Sequence, residues 1–368
     1  MQVISCLPHE LLGEVFADCA ACSPDAPLAL VSVSHLFRAV AYSTPAVWTH
    51  LNLEAASAIE KAALWFAQSR VCRVHVQLDL TRSTNTDASA ILDALRLNAH
   101  RISSLLLRVD HQAQALSALS AIYATADAPT LHALTVHADA LKPAPHPPSQ
   151  VLAFPPLPGL AELEVTNITL ALLPSLDLGR LQRLRLVQPL VSAPFTTDDV
   201  VDLLSATPAL TSLWLEARIS DLSASGTTHF MQALEDVHLR ANNLIPLLDR
   251  LIPPRLHSLY LDDMDGRRAG ASEDVANALH RLLVRMELGQ GDVTNNELRE
   301  FELVGVDVDR ETTMWDRCMQ KMKALEVFRI REGTPMEDFE SDSEEVPPPE
   351  MPHKRPVSAF AFGFGFAD

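Results

Sequence analysis

The sequence predicts an α/β repeat protein in which parallel strands form the concave face of an arc and helices form the outer, convex face. Two observations lead to this fold class: a short apolar pattern returns eleven times along the chain, and stretches with helical spacing lie between the copies. Repeated strand-and-helix units stack into a solenoid, in which each unit buries its apolar side chains only against its neighbours.

Composition and charge limit the possible functions. The chain has 368 residues, 48% of them hydrophobic, and a formal net charge of −18. Because most of that surface repels a phosphate backbone, we expect no nucleic-acid partner. No run approaches the roughly 18 apolar residues of a membrane helix, and the start lacks the pattern of a signal peptide, so we expect no membrane span. The five scattered cysteines suit a reducing compartment, the cytoplasm or the nucleus.

Residues 1–47 are predicted to form a small helical module. Apolar residues recur at helical spacing from Leu7 to Cys19, and Pro8 falls in the first turn, where a missing N–H costs least. After a break at 23–25, two short helices fit before Thr44-Pro45. A module of about 40 residues cannot bury all these apolar groups alone, so the rest of the chain, a partner, or both must cover them.

The same module carries a set of spaced motifs. They are Leu7-Pro8-His9-Glu10-Leu11-Leu12, Val15-Phe16, Leu30-Val31-Ser32-Val33-Ser34, Phe37-Arg38 and Ser43-Thr44-Pro45-Ala46-Val47-Trp48. Together they resemble an F-box, most closely those of the large fungal group. The resemblance implies a three-helix module that docks on the Skp adaptor of a cullin-RING ubiquitin ligase, while the following segment selects a substrate. The adaptor-binding residues that it implies are Leu7, Pro8, Leu11, Leu12, Val15, Phe16, Val31 and Phe37.

From residue 48 to 331 one six-residue pattern returns: an apolar residue, two variable ones, an apolar one, one variable and one apolar. Its copies start at Trp48, Val71, Ile102, Leu131, Leu160, Leu181, Leu210, Leu234, Leu256, Leu298 and Leu325. The spacing is mostly close to the roughly 20–29 residues of leucine-rich repeats, which the chain resembles. The copy at Leu234 fits that consensus through Asn242, but most copies lack this Asn, so the repeat is irregular.

Helical spacing between the copies predicts the outer helices. The predicted ranges are 58–69, 87–98, 112–124, 198–206, 245–252, 273–287 and 312–322. Because the ends of a solenoid expose its core, we expect the F-box helices to cap the first end.

Two regions interrupt the repeats. The Pro-rich segment, about 142–159, predicts a loop, either a plain surface excursion or a proline-rich ligand. Residues 332–368 are acidic, then Pro-rich and Phe-rich, which favours disorder. In this tail Ser341 and Ser343 lie among acids, either as sites for an acid-directed kinase or in an inert segment. Alternating phenylalanines over 360–366 fit one face of a strand or a mobile sticky tail.

Catalytic and metal-binding motifs are incomplete. The segment 270–274 lacks the second glycine of a nucleophile elbow, and 289–291 lacks the third glycine of a dinucleotide loop. Cys19 and Cys22 form a lone CxxC, which favours ordinary thiols over a zinc or redox site. We expect no cofactor, no metal and no enzymatic activity; a hydrolase or transferase on an unfamiliar fold is the alternative.

The third, fifth and seventh residues of each copy are predicted to point away from the core, because side chains alternate along a strand. Trp214 and Tyr260 stand out among them, since large aromatics on a solvated face are frequent contact hot spots, unless a neighbouring loop covers them. The charged residues of this face are either substrate contacts or plain solvated groups. The candidate substrate-binding residues are Arg183, Arg185, Trp214, His238, Tyr260, Glu302 and Arg329.

The two halves together predict a non-catalytic substrate receptor. By resemblance, the F-box binds the Skp adaptor and, through it, the cullin-RING ligase, while the repeats hold a protein substrate. The alternative is a leucine-rich-repeat scaffold that keeps an F-box-like cap and binds its partner outside any ligase.

Overall fold

The structure is a computed structural model that describes most of the chain up to residue 331. The described ranges are 7–54, 58–81, 85–123, 130–139, 155–170, 173, 176–189, 192–220, 228–264, 271–289, 297–306 and 313–331. All of them fall within one compact unit, Met1–Thr334. Most of the Pro-rich segment and all of the predicted tail, with Ser341, Ser343 and the terminal phenylalanines, lie outside the described residues.

The chain begins with the three helices that its sequence predicts. They are α1 (His9–Cys22), α2 (Ala26–Val33) and α3 (His35–Ser43), and a 3₁₀ helix, Pro45–Trp48, follows them. Ser34 caps α3, because its hydroxyl accepts a hydrogen bond from the backbone N–H of Phe37 at 3.1 Å. Gly13 lies in the middle of α1, where a Cβ would come within 2.8 Å of the Thr44 Oγ1. Glycine therefore permits the close approach of α1 to the end of α3.

Fifteen strands follow in the described part of the chain. They are β1 (His50–Leu53), β2 (Val74–Asp79), β3 (Ile102–Val109), β4 (Ala133–Ala138), β5 (Glu162–Thr166), β6 (Arg183–Val187), β7 (Phe195–Thr196), β8 (Ser212–Ala217), β9 (Ile219–Ser220), β10 (His229–Phe230), β11 (Asp236–Ala241), β12 (Leu251–Ile252), β13 (Ser258–Asp263), β14 (Glu300–Val304) and β15 (Val327–Arg331).

Eleven of these strands form one parallel sheet in the order of the chain, β1-β2-β3-β4-β5-β6-β8-β11-β13-β14-β15. Each of the eleven predicted copies contributes one of these strands, so the repeat prediction is confirmed at the level of the sheet. The two-residue strands form separate pairs, β7 with β9 and β10 with β12. The molecule is therefore an α/β protein with a large, repeat-like parallel sheet.

Seven further α-helices lie between the strands of the described chain. They are α4 (Ala58–Gln68), α5 (Asn85–Leu97), α6 (Gln112–Tyr123), α7 (Thr197–Ser205), α8 (Ile245–Arg250), α9 (Ala271–Gly289) and α10 (Thr313–Lys321). Each matches a predicted helix within two residues at either end. None of the described helices is long and apolar enough to cross a membrane.

Two columns of apolar side chains run through all eleven strands and form the core beneath the sheet. One column is Leu51, Val76, Leu105, Leu134, Leu163, Leu184, Leu213, Val237, Leu259, Phe301 and Phe328. The other is Leu53, Leu78, Leu107, Val136, Val165, Leu186, Leu215, Leu239, Leu261, Leu303 and Ile330. Except for the two residues of β15, every member is at most 4% exposed. Each buried side chain of this kind contributes about 1.5–3 kcal/mol of hydrophobic stabilisation.

The predicted register of the second copy is wrong by two residues. Its first apolar position, Val71, is exposed, and the strand places Val76 and Leu78 in the core columns. Arg70 adopts a positive φ of 51°, and Arg101 donates hydrogen bonds to the carbonyl oxygens of Phe66, at 3.0 Å, and Cys72, at 3.3 Å. These contacts fix a turn after α4 that directs Val71 to solvent.

The opening helices share the core of the sheet through Trp48. Its indole Nε1 donates to the Ala41 carbonyl at 2.8 Å, and its ring lies edge-on to Trp65, with 5.0 Å between ring centroids. Trp65 in turn donates to the carbonyl of His50 on β1 at 2.7 Å. Both core residues of β1, Leu51 and Leu53, are fully buried as a result. The helices therefore cover the β1 end of the stack, as the sequence predicts.

We predict that Gly305→Ala destabilises the fold by about 1–3 kcal/mol, because strained backbone carries costs of this size. Gly305 has a φ of +73°, and a Cβ there would lie 2.6 Å from the backbone oxygen of Asp263. Urea denaturation followed by circular dichroism measures the loss. The matched control is Gly179→Ala, where the nearest contact is 3.4 Å; equal midpoints for the two variants would contradict the prediction.

Candidate functional site

The face of the sheet opposite the core presents a continuous column of side chains. Its members, one from each strand, are Asn52, Gln77, Leu106, Thr135, Glu164, Arg185, Trp214, His238, Tyr260, Glu302 and Arg329. Six of the seven candidate substrate-binding residues occupy consecutive places in it, from Arg185 to Arg329. The seventh, Arg183, lies two residues before Arg185 on β6 and paired in register with Glu162. The structure therefore brings the predicted set together on one surface.

The centre of this surface is a stack of planar groups that we call the aromatic column: Arg185, Trp214, His238 and Tyr260. The ring centroids of Trp214 and His238 are 3.4 Å apart with planes 7° from parallel, and those of His238 and Tyr260 are 3.8 Å apart at 6°. The Arg185 guanidinium lies 4.7 Å from the Trp214 ring centroid. Neighbouring strands are about 4.7–4.9 Å apart, so the rings lean towards one another. Each ring face is thus covered by the next group, which explains why the three rings are only partly exposed.

His238 lies between the rings of Trp214 and Tyr260, and the charges of two arginines act on it. Burial of the imidazole lowers the pKa of His238 from 6.5 to about 4, and the charges of Arg185 and Arg240 lower it in the same direction. Because the imidazole is neutral, it can be buried between Trp214 and Tyr260 without the cost of removing a charge from water. At pH 7 the aromatic column therefore carries its positive charge only on Arg185.

Charged pairs border the aromatic column and link neighbouring strands. Arg240 of β11 lies 2.9 Å from the Glu216 carboxylate of β8 and 3.2 Å from the Asp262 carboxylate of β13. Arg185 and Glu164 are 3.5 Å apart. These pairs range from half-exposed to largely buried, and exposed pairs contribute little stability. Their main effect is to place the Arg240 guanidinium between two carboxylates. The pKa of Asp262 is raised by burial, although the charge of Arg240 opposes that shift.

The chemistry of this face suits recognition of another protein. It combines ring edges, guanidinium groups and carboxylates, and aromatic residues and arginine are the commonest hot spots of protein interfaces. Within the described residues, no three His, Cys, Asp or Glu side chains come together as metal ligands. The absence of a metal, a cofactor and catalysis stays a prediction.

The structure separates the eight predicted adaptor-binding residues into two groups. Leu7, Leu11 and Val15 form an exposed row, which we call the α1 stripe, with 41%, 47% and 50% of each residue exposed. Pro8 is also exposed. Leu12 and Phe16 point inward instead and are buried.

Val31 and Phe37 are half-buried, and the Phe16 and Phe37 ring centroids are 4.9 Å apart. These two residues and the buried pair of α1 hold the module together, so their effect on an external contact is indirect.

Sequence reasoning missed two features of these surfaces. Arg240, with its two acidic neighbours, was not among the candidate residues, although acids occupy the same position of the copies on either side. The exposed Leu28 and Val33 of α2 were also missed. The apolar composition of α2 was the available signal, since an eight-residue helix cannot bury apolar groups on every side.

The fold defines the class of the protein: an α/β protein with a large, repeat-like parallel sheet, one face of which carries the aromatic column. Neither the models of known protein families nor the curated proteins contain a match to this chain.

We predict that acid destabilises the wild-type protein more steeply than His238→Phe, a variant that keeps a stacking ring without an ionisable group. The unfolded chain binds a proton at His238 near pH 6.5, but the folded protein does so only near pH 4. Acidification through this window therefore favours unfolding, and stability is lost as the pH falls.

Thermal midpoints measured from pH 7 to pH 4 test this prediction. The pKa values of His50, His75, His137 and His280 are also lowered by burial. Since both proteins contain these histidines, the difference between the two curves reports His238. Parallel curves would show that His238 titrates normally.

Proposed function

We propose that this protein is the substrate-recognition subunit of a cullin-RING ubiquitin ligase. In this proposal the module α1–α3 docks on the Skp adaptor, and the exposed sheet face holds a protein substrate for degradation. The observation that carries the proposal is the division of α1 into a buried side and the exposed α1 stripe. Large apolar side chains left in water at helical spacing favour a partner that covers them.

The aromatic column supports the second half of the proposal. Its rings are held by stacking and by the strands beneath them, so a partner would pay little conformational entropy to order them. Acidic and basic groups border the rings and supply the charge pattern that selects one partner over another. The chain itself would contribute proximity and orientation, not chemistry. It would act in the cytoplasm or the nucleus, without a cofactor or metal.

A second candidate function is a protein-binding scaffold that works outside any ligase. The observation in its favour is that Trp48 joins the opening helices to the core of the sheet. Helices that stabilise the end of the sheet in this way have a structural role even if no adaptor binds them. The two candidates differ in one respect: only the ligase subunit recruits an Skp adaptor and a cullin.

We predict that Leu11→Asp with Val15→Asp reduces adaptor binding at least tenfold. Both side chains are about half exposed, so the charges spare the core of the module but place two carboxylates in an apolar contact. Co-purification of Skp adaptor and cullin with the tagged full chain is the measurement.

The matched control for this variant is Val71→Asp with Leu97→Asp, which adds the same two charges at exposed positions outside α1. Undiminished adaptor binding by the double variant of α1 would contradict the proposal. A wild-type chain that captures a protein partner but no cullin would favour the scaffold.

We predict that Trp214→Ala with Tyr260→Ala removes substrate proteins while leaving adaptor binding intact. The two changes take away both outer rings of the stack but leave the buried columns untouched. Affinity purification under proteasome block, followed by mass spectrometry, compares the captured proteins.

The control changes two smaller residues of the same column, Gln77→Ala with Thr135→Ala. If all three proteins capture the same set, the aromatic column is not the substrate site.

A further inference from the structure

β15 is the last strand of the parallel sheet, and within the described residues only one of its edges is paired; the other is called the free edge below. It pairs with β14 on one side, and no strand in the described part of the chain pairs with its other side. The backbone N–H and C=O groups along such an edge are a template for a further strand. Addition of an extended segment to a sheet edge is a general mode of protein recognition.

The apolar residues on the core side of β15 are only partly buried. Phe328 and Ile330 are 38% and 49% exposed, whereas the other members of their two columns are at most 4% exposed. The Phe328 ring stacks on Phe301 of β14 with 5.5 Å between centroids. A strand added beside β15 would bury both side chains under its own apolar residues.

The opposite side of β15 carries two arginines that share one carboxylate among the residues that the structure describes. Arg329 and Arg331 both approach the carboxylate of Glu302, at 3.5 Å and 3.0 Å. Both guanidinium side chains are largely exposed, whereas that of Glu302 is largely buried. Within the described residues, the carboxylate of Glu302 is therefore shared by two cations at this edge, in a chain whose net charge is −18.

The interior of the sheet shows which side chains lie beside an arginine when both neighbouring strands are present. Arg240 of β11 has an acid on each neighbouring strand, Glu216 on β8 and Asp262 on β13. At β15 the arginines have an acid on the β14 side alone among the described strands. The strand that would continue this pattern carries carboxylates on the same face.

We propose that the free edge of β15 binds an extended segment of a partner protein in which acidic and apolar residues alternate. Its acids would face Arg329 and Arg331, and its apolar residues would cover Phe328 and Ile330. A second copy of this chain fits less well, because a two-fold axis normal to the sheet places the arginines of both β15 strands together on one face. This inference stands independently of any ligase function.

Two labelled ten-residue peptides test the proposal, one alternating glutamate with valine and a twin with lysine in place of glutamate. Fluorescence anisotropy with the full chain is expected to show at least tenfold tighter binding of the glutamate peptide at low salt. The difference should shrink as salt screens the charges. Equal affinity for the two peptides would overturn the proposal.

Variants of the arginines separate this edge from the rest of the surface. Arg329→Gln with Arg331→Gln should lose most of the preference for glutamate. The matched control, Arg108→Gln with Arg180→Gln, changes two exposed arginines that do not belong to the candidate substrate-binding set and should retain it. An unchanged preference in the first variant would place the peptide elsewhere and overturn the proposal.

Two further measurements test whether the peptide pairs with the backbone of β15. A glutamate peptide that is N-methylated at every residue cannot donate to the strand ladder, so its binding should fall at least tenfold. Hydrogen exchange should slow at residues 327–331 when the unmodified peptide is added. Full binding of the methylated peptide would overturn strand addition, as would self-association of the free chain with these amides already protected, because a second copy would then occupy the edge.

Discussion

The register of the parallel strands is the constraint on which the rest of the structure depends. Each strand is aligned so that its two core residues continue the same two apolar columns, from Leu51 and Leu53 on β1 onwards. A slip of one residue would turn those side chains to solvent, so burial enforces the alignment at every step. The same alignment places the intervening residues in columns on the opposite face. Trp214, His238 and Tyr260 can stack because their strands are locked in register by the leucines and valines between them. The arrangement of side chains on the exposed face is thus a consequence of core packing.

Most of the fold could be predicted because its signals are local. Each strand and each helix is encoded by apolar spacing within a few residues, and both kinds of spacing survive in an irregular repeat. The second copy shows where local pattern fails. Val71, Val74 and Val76 satisfy the apolar pattern, yet β2 uses Val76 and Leu78 for its core columns. The turn after α4 decides which pair of residues enters the core columns. Arg101, about thirty residues later in the chain, holds this turn by hydrogen bonds to its backbone carbonyl groups. No window of local sequence contains that contact.

The sequence predicts which residues belong to the surface of α1 and to the exposed face of the sheet, but not how their side chains are oriented or how they interact. On α1 the doublets Leu11-Leu12 and Val15-Phe16 are apolar at both positions, so periodicity cannot tell which member of each lies inside. The structure decides through the close approach of Gly13 to Thr44, which turns Leu12 and Phe16 inward and leaves the α1 stripe outside. On the sheet, the candidate residues follow from strand alternation. The lowered pKa of His238 does not, because it arises from rings and arginines on neighbouring strands.

The two ends of the sheet differ in a way that bears on assembly. At β1 the core is closed by the opening helices, which share Trp48 and Trp65 with it. At β15 the columns end on exposed Phe328 and Ile330. A stack of repeats needs a cap at each end, because its terminal units have a neighbour on one side only. This chain supplies the first cap as a module that also exposes an apolar stripe.

Since that module and the aromatic column belong to one continuous core, proteins bound at the two sites would be held at a fixed relative position. The adaptor function proposed above would require this property, because transfer between two bound partners depends on their mutual orientation.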